Sequence, residues 1–217
     1  MNFDQARFNM IEQQIQTWQV LAPDMIERLF AVKRELFVPV AYRNLAFAET
    51  EIPLGQGAHM LLPGVEARMV NALQLKATDR VLEIGTGSGY MAALLAARAL
   101  HVDSIEIVPE LAVTARANLK AAGISNVDVR IGDGLAPDAI DGTYDAIVLS
   151  GSLPLLPHHL TANLKVGGRM IAIIGNEVAM EVQLMNRASE TSCTATPLFE
   201  TVAPALKDAQ RHSSFAL

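Results

Sequence analysis

Three glycines at alternating positions, Gly85, Gly87 and Gly89, follow the apolar run Val81 to Ile84 in VLEIGTGSGY. A strand ending in such a run turns sharply into a helix. Glycine permits positive φ and lets the backbone approach a ligand closely. The helix after the turn offers free N–H groups to it. Taken alone, the run is no more than a tight strand-to-helix turn. Two acids add to it. Glu106 ends the next strand-like run, SIEI, 17 residues beyond Gly89. A carboxylate there can accept two hydrogen bonds from ribose hydroxyls. Asp133 ends the strand after that, in IGDG, where it can accept from an adenine amino group. The sixth position of the glycine run is Tyr90, so this is not the dinucleotide pattern. Glycines and acids at successive strand ends describe a nucleoside pocket on one rim of an open α/β sheet.

A second stretch, IPLGQGAHMLLPG at residues 52–64, begins with the residue types of an active-site entrance and then turns apolar. If it is extended, His59 and Leu61 face the same side. Met60, Leu61 and Leu62 read as a hydrophobic lid that closes over a ligand and is mobile without one. Ser150 and Ser152, in VLSGS, fall at a strand end near the same rim. Their hydroxyls are available to chemistry, although serines in such loops are more often structural. His158 and His159 open a helix after Pro157. With no further His or Cys at ligand spacing, they suggest no metal site.

Patterning along the chain supplies the framework for these groups. Phe8, Ile11, Ile15 and Trp18 recur at spacings of three and four, an amphipathic helix. Pro23 starts a second helix. ELFVPVAYRNLAF is irregular. From residue 65, helical segments alternate with strand-length apolar runs, which implies a mostly parallel sheet covered on both faces. ELAVTARANLKAAG is a helix closed by Gly123. The tail, EVAMEVQLMNRA and TSCTATPLFETV, has no helix between its runs and reads as an antiparallel hairpin at the sheet edge. The fold expected is α/β, a Rossmann-like doubly wound sheet in a single domain. Residues 1–64 form its helical N-terminal region and active-site loop, and residues 65–217 its cofactor-binding core.

Composition narrows the function classes. The chain has 217 residues, about half of them hydrophobic, and a net charge of −6. Its basic residues are scattered, so broad attraction to nucleic acid is not expected. No apolar run reaches the roughly 18 residues of a membrane helix. The start, MNFDQARFNM, lacks a secretory signal pattern, and the expected compartment is the cytoplasm. Cys193 is the one cysteine, which excludes an internal disulfide and a cysteine-rich metal site.

The glycine run with its two acids resembles the class I S-adenosylmethionine-dependent methyltransferases. RELFVP, AFAETEIPLGQG, SIEIVPEL, NVDVRIGDG, YDAIVLSGS, LKVGGRMIAIIG and VQLMNR, in this order, resemble the protein-L-isoaspartate O-methyltransferases over nearly the whole chain. RFNMIEQQI and DMIERLFAVKRELFVP match that family's leading helices. The resemblance implies methyl transfer from S-adenosylmethionine to the free carboxylate of an isoaspartyl residue in a damaged polypeptide. It assigns the cofactor to Glu83, Gly85, Thr86, Gly87, Ser88, Gly89, Tyr90, Glu106, Ile107, Asp133 and Gly134.

The family's loop carries a serine hydroxyl at the reacting centre. Here IPLGQGAHMLLPG aligns without a gap, and Leu61 stands at the serine position and His59 at the preceding threonine position. The catalytic positions are therefore His59 and Leu61. A carboxylate acceptor is already ionised at neutral pH and needs no general base. Losing one hydrogen bond to it costs about 1.5–3 kcal/mol, roughly a ten- to few-hundredfold slowing. Slow isoaspartyl transfer that Leu61→Ser would raise is the expectation. A different acceptor on the same scaffold, or cofactor binding with little turnover, remain the alternatives.

Overall fold

The computed structural model describes residues 2–18, 21–176 and 179–209. The chain enters through α1 (Phe3–Asn9), whose first turn is capped by the Asn2 side chain accepting from the Gln5 N–H. It continues through a π-helical stretch, Met10–Ile15, into the short α2 (Gln16–Trp18). The π stretch changes the expected stripe. An i→i+5 turn holds an extra residue and rotates the residues after it. Met10, Ile11 and Ile15 are therefore buried, while Phe8 is 46% exposed. The side chain of Trp18, the stripe's fourth member, lies outside the described residues.

Helix α3 (Pro23–Ala31) starts on Pro23 and buries Met25 and Leu29. Two 3-10 turns come after it, Arg34–Leu36 and Val40–Leu45. Next are β1 (Ile52–Gly55) and β2 (Ala58–Met60), an antiparallel hairpin separate from the main sheet. Helix α4 (Pro63–Leu73) leads to β3 (Arg80–Ile84), α5 (Tyr90–Ala96), β4 (His101–Glu106), α6 (Pro109–Ala121) and β5 (Val127–Ile131). Gly123, with φ +73°, follows α6 where the helix must stop. The chain then returns through β6 (Tyr144–Leu153), α7 (His159–Ala162), β7 (Leu164–Asn176), β8 (Ala179–Arg187) and β9 (Cys193–Thr201).

The seven-stranded sheet runs β5-β4-β3-β6-β7-β8-β9. Strands β3 to β7 pair in parallel, and β8 and β9 are added antiparallel at one edge. The strand order reverses between β3 and β6. In such sheets the crevice outside the strand carboxyl ends, at that reversal, is where ligands bind. β3 is buried at Val81, Leu82, Glu83 and Ile84, as a strand covered on both faces must be. One core cluster joins the N-terminal helices to the sheet, with Met10, Ile15 and Leu29 in the same group as Val81, Val148 and Ile171. The opposite sheet face carries a second cluster, built on Leu82, Ile147, Leu149 and Met170. Among the described residues no helix is long and apolar enough to cross a membrane.

Candidate active site

The ends of β3, β4, β5 and β6 open onto one cavity, lined among others by Gly85, Glu106, Asp133 and Ser150, at the place where such sheets bind ligands. Gly85 and Gly87 form its floor, with φ of +92° and +54°. Only glycine holds such angles without strain here. A side chain at Gly85 would also strike Leu206, whose Cδ2 lies 2.6 Å from where a Cβ would stand.

Glu106 fixes the loop's shape. Its Oε2 accepts from the Gly87 N–H at 2.7 Å, and its Oε1 from the Val108 N–H at 2.9 Å. Each carboxylate oxygen has a second acceptor position. Glu106 lines the cavity, with 4% of its surface exposed. Asp133 also lines the cavity, with Oδ1 accepting from the Leu135 N–H at 2.9 Å. Ile107 and Gly134 are cavity residues too.

Other residues assigned from the resemblance lie elsewhere. Glu83 is fully buried beneath the loop. Its carboxylate accepts from Ser104 Oγ at 2.6 Å and from Ser150 Oγ at 2.9 Å. Burial pushes its pKa up to about 8, against the lowering effect of the two serine hydrogen bonds. Thr86 is buried 2.5 Å from Ser104, hydroxyl to hydroxyl. Ser88 Oγ accepts from the Tyr90 N–H at 3.3 Å, and its carbonyl from Asn118 at 3.0 Å. Gly89, with φ +86°, makes the turn into α5 and does not reach the cavity. The Tyr90 ring points into the core, 5.6 Å from the Phe37 ring centroid and 4.7 Å from the Arg34 guanidinium. These five residues support the loop from behind. A strand that ends in a sharp turn sends alternate residues to opposite faces, and spacing alone does not show which face holds the ligand.

The stretch at residues 52–64 also differs from expectation. β2 stops at Met60, so His59 and Leu61 do not share a face. His59 is exposed on the cavity wall beside Gly57 and Ala58. Leu61 is 4% exposed and sits in the main core, off the cavity. Met60 is buried with it, and Leu62 packs against the same cluster. Met60 and Leu61 already have their apolar surface out of water without a ligand, and Leu62 is half-buried against them, the packing of a wall and not of an open lid. Leu54, from β1, lies over the glycine loop, 3.2 Å from a Cβ position at Gly87.

Sequence reasoning left one wall unassigned. After β9 the chain returns across the end of β6. Ser152 holds it there: its N–H donates to the Pro204 carbonyl at 2.8 Å, and its Oγ to the Ala203 carbonyl at 2.9 Å. The Leu206 N–H donates back to the Ser152 carbonyl at 2.9 Å. Pro204 to Lys207 thereby line the cavity. Pro204 was the only local signal of this return. Ser152 is thus structural, and Ser150 reaches the cavity with its hydroxyl engaged by Glu83.

The chain resembles proteins of known kind over most of its length. Residues 5–208 match the family model for protein-L-isoaspartate(D-aspartate) O-methyltransferase. A protein-L-isoaspartate O-methyltransferase 1 of Rhodopseudomonas palustris is 40% identical over 191 residues, covering 88% of this chain and 77% of the relative. A protein-L-isoaspartate O-methyltransferase of Syntrophus aciditrophicus is 38% identical over 188 residues, covering 87% and 86%. In fold, the chain is similar to a Plasmodium falciparum protein crystallised with S-adenosyl-L-homocysteine. That match has a TM-score of 0.80 at 20% identity and covers 95% of this chain and 99% of the other.

Proposed function

The chain belongs to the protein-L-isoaspartate(D-aspartate) O-methyltransferase family, and on that premise we propose that it methylates the free carboxylate of isoaspartyl residues in damaged polypeptides, with S-adenosylmethionine as methyl donor. The observation that carries the reading is Glu106, a cavity carboxylate that shapes the glycine loop; in this reading its oxygens also accept from the ribose hydroxyls. Asp133, one strand further out, is assigned to accept from the adenine amino group. Gly85 and Gly87 bring bare backbone to the cavity, where this reading puts the amino-acid end of the cofactor. S-adenosylmethionine supplies an activated methyl group.

No residue has to remove a proton, since a carboxylate acceptor is ionised at neutral pH. The protein's work is to hold acceptor oxygen, methyl carbon and sulfur in line and to keep water out. The hairpin β1–β2, packed by Leu54 and Met60, and the returning segment at Leu206 supply the walls that do so. We assign the whole chain to one catalytic domain, because the N-terminal helices share a core cluster with the sheet. The proposed compartment is the cytoplasm, which suits a chain with a single cysteine.

Transfer of tritiated methyl to an isoaspartyl peptide, an ordinary aspartyl peptide and a cell extract tests the reading. Labelling of the isoaspartyl peptide alone supports it. One observation favours a second reading, a different acceptor on the same scaffold: the family's serine position is Leu61, turned away from the cavity. Labelling confined to the extract would select that reading. No labelling, with S-adenosylhomocysteine bound, would mean a binding protein without turnover.

A further inference from the structure

Among the described cavity residues, Glu106 and Asp133 are acids, and Lys207 is the one lysine or arginine. The lysine is exposed at the mouth. None of the ion pairs among the described residues includes it. Its backbone is nonetheless fixed. Leu206, the residue before it, is bonded to Ser152 and packed on Gly85 and Gly151. A flexible tail would carry a lysine anywhere; this one is held at the glycine-loop end of the cavity.

We propose that Lys207 is a carboxylate anchor of this cavity. The assignment rests on the function proposed above, which brings two carboxylates to this place: the α-carboxylate of the cofactor's amino-acid end and that of the isoaspartyl acceptor. Both are anions, and a cavity with two acids of its own repels them unless a cation offsets that charge. An ammonium is a point charge with three donors, suited to one carboxylate oxygen while the other stays free. That leaves an acceptor oxygen able to attack, so the anchor acts on binding and not on the methyl-transfer step.

The test uses the full chain and the variants Lys207→Met, Lys207→Glu and Lys207→Arg. Calorimetry is run with S-adenosylhomocysteine and with its analogue lacking the α-carboxylate. KM and kcat are measured with an isoaspartyl peptide. Lys207→Met is expected to weaken one carboxylate ligand by about 1.5- to fivefold, the range of an exposed charge pair. Lys207→Glu weakens it further, Lys207→Arg restores it, and kcat holds. A loss for S-adenosylhomocysteine that is absent for the analogue names the cofactor's carboxylate. A rise in peptide KM at unchanged S-adenosylhomocysteine affinity names the acceptor's. A wild type that binds and methylates, with Lys207→Glu indistinguishable from it in both constants, overturns the anchor alone. A loss of equal size for cofactor and decarboxylated analogue, with peptide KM unchanged, also overturns it, as it would reflect packing. A wild type that binds neither ligand overturns the function reading and the anchor with it.

Discussion

Arg34 donates from Nη2 to the main-chain carbonyl of Leu61 at 2.8 Å, and through Nη1 it is ion-paired with Glu66. Arg34 is 1% exposed, and Leu61 and Glu66 are almost as deeply buried. This buried tie fastens the end of the β1–β2 hairpin to α4. It places the residue at the family's serine position in the core.

Leu61→Ser is therefore expected to lower stability without raising methyl transfer. Removing a packed leucine costs about 2–5 kcal/mol, and the hydroxyl enters an apolar site. Urea unfolding of wild type and variant gives the stability difference, and the peptide assay gives the rate. A variant as stable as wild type with faster transfer would show that residue 61 reaches the acceptor.

Arg34→Met should cost about 3–5 kcal/mol, because it leaves Glu66 buried without its partner. Burial already pushes the Glu66 pKa up to about 7, despite Arg34. Adding Glu66→Met should recover part of the loss. Thermal unfolding of the two single variants and the double variant measures the coupling; additive losses would mean that the pair does not interact.

Glu83 makes stability depend on pH. Its pKa is raised from 4.5 to about 8 by burial. The folded state thus binds the proton more tightly than the unfolded chain. The contribution is fully present below about pH 4.5 and is lost as pH rises through 8, on the order of a few kcal/mol. Glu83→Gln keeps an acceptor for one of Ser104 and Ser150, turns an amide donor to the other hydroxyl, and removes the titration. Glu66 titrates in the same direction in both proteins, so the difference between the two stability curves isolates Glu83. A constant difference from pH 5 to 8 would count against the raised pKa.

Glu106→Ala should weaken S-adenosylhomocysteine by about a hundredfold, since two ribose hydroxyls lose a charged acceptor. The Gly87 and Val108 N–H groups also lose their partner. Glu106→Gln separates these effects, because the amide oxygen serves only one of them. Equal affinity of Glu106→Ala and wild type in calorimetry would remove Glu106 from the cofactor site.

Hydrogen exchange should show Met60 and Leu61 equally protected with and without S-adenosylhomocysteine. Any change should fall at the turn from Gly55 to Ala58, which lies beside the cavity. Protection gained at Leu61 on binding would restore the lid that its burial argues against.

The layers and the rim are legible in the chain's local patterns. VLEIGTGSGY, SIEI and IGDG are such patterns, and the parallel sheet needs only apolar runs alternating with helices to be recognised. Gly85, Gly87, Glu106 and Asp133 lie at the ends of consecutive strands, and topology alone brings those ends together. Which way the side chains face is settled only once the elements pack. Tyr90, Thr86, Ser88 and Glu83 sit among cavity residues in the chain yet point into the core or beneath the loop. Leu61 follows His59 by two positions, but β2 ends between them, and Arg34 draws the carbonyl of Leu61 inward. Lys207 carries no motif. It reaches the cavity because Ser152, more than fifty residues away, bonds the segment that bears it. Periodicity reads spacing along one element, whereas these three outcomes depend on contacts between elements far apart in the chain.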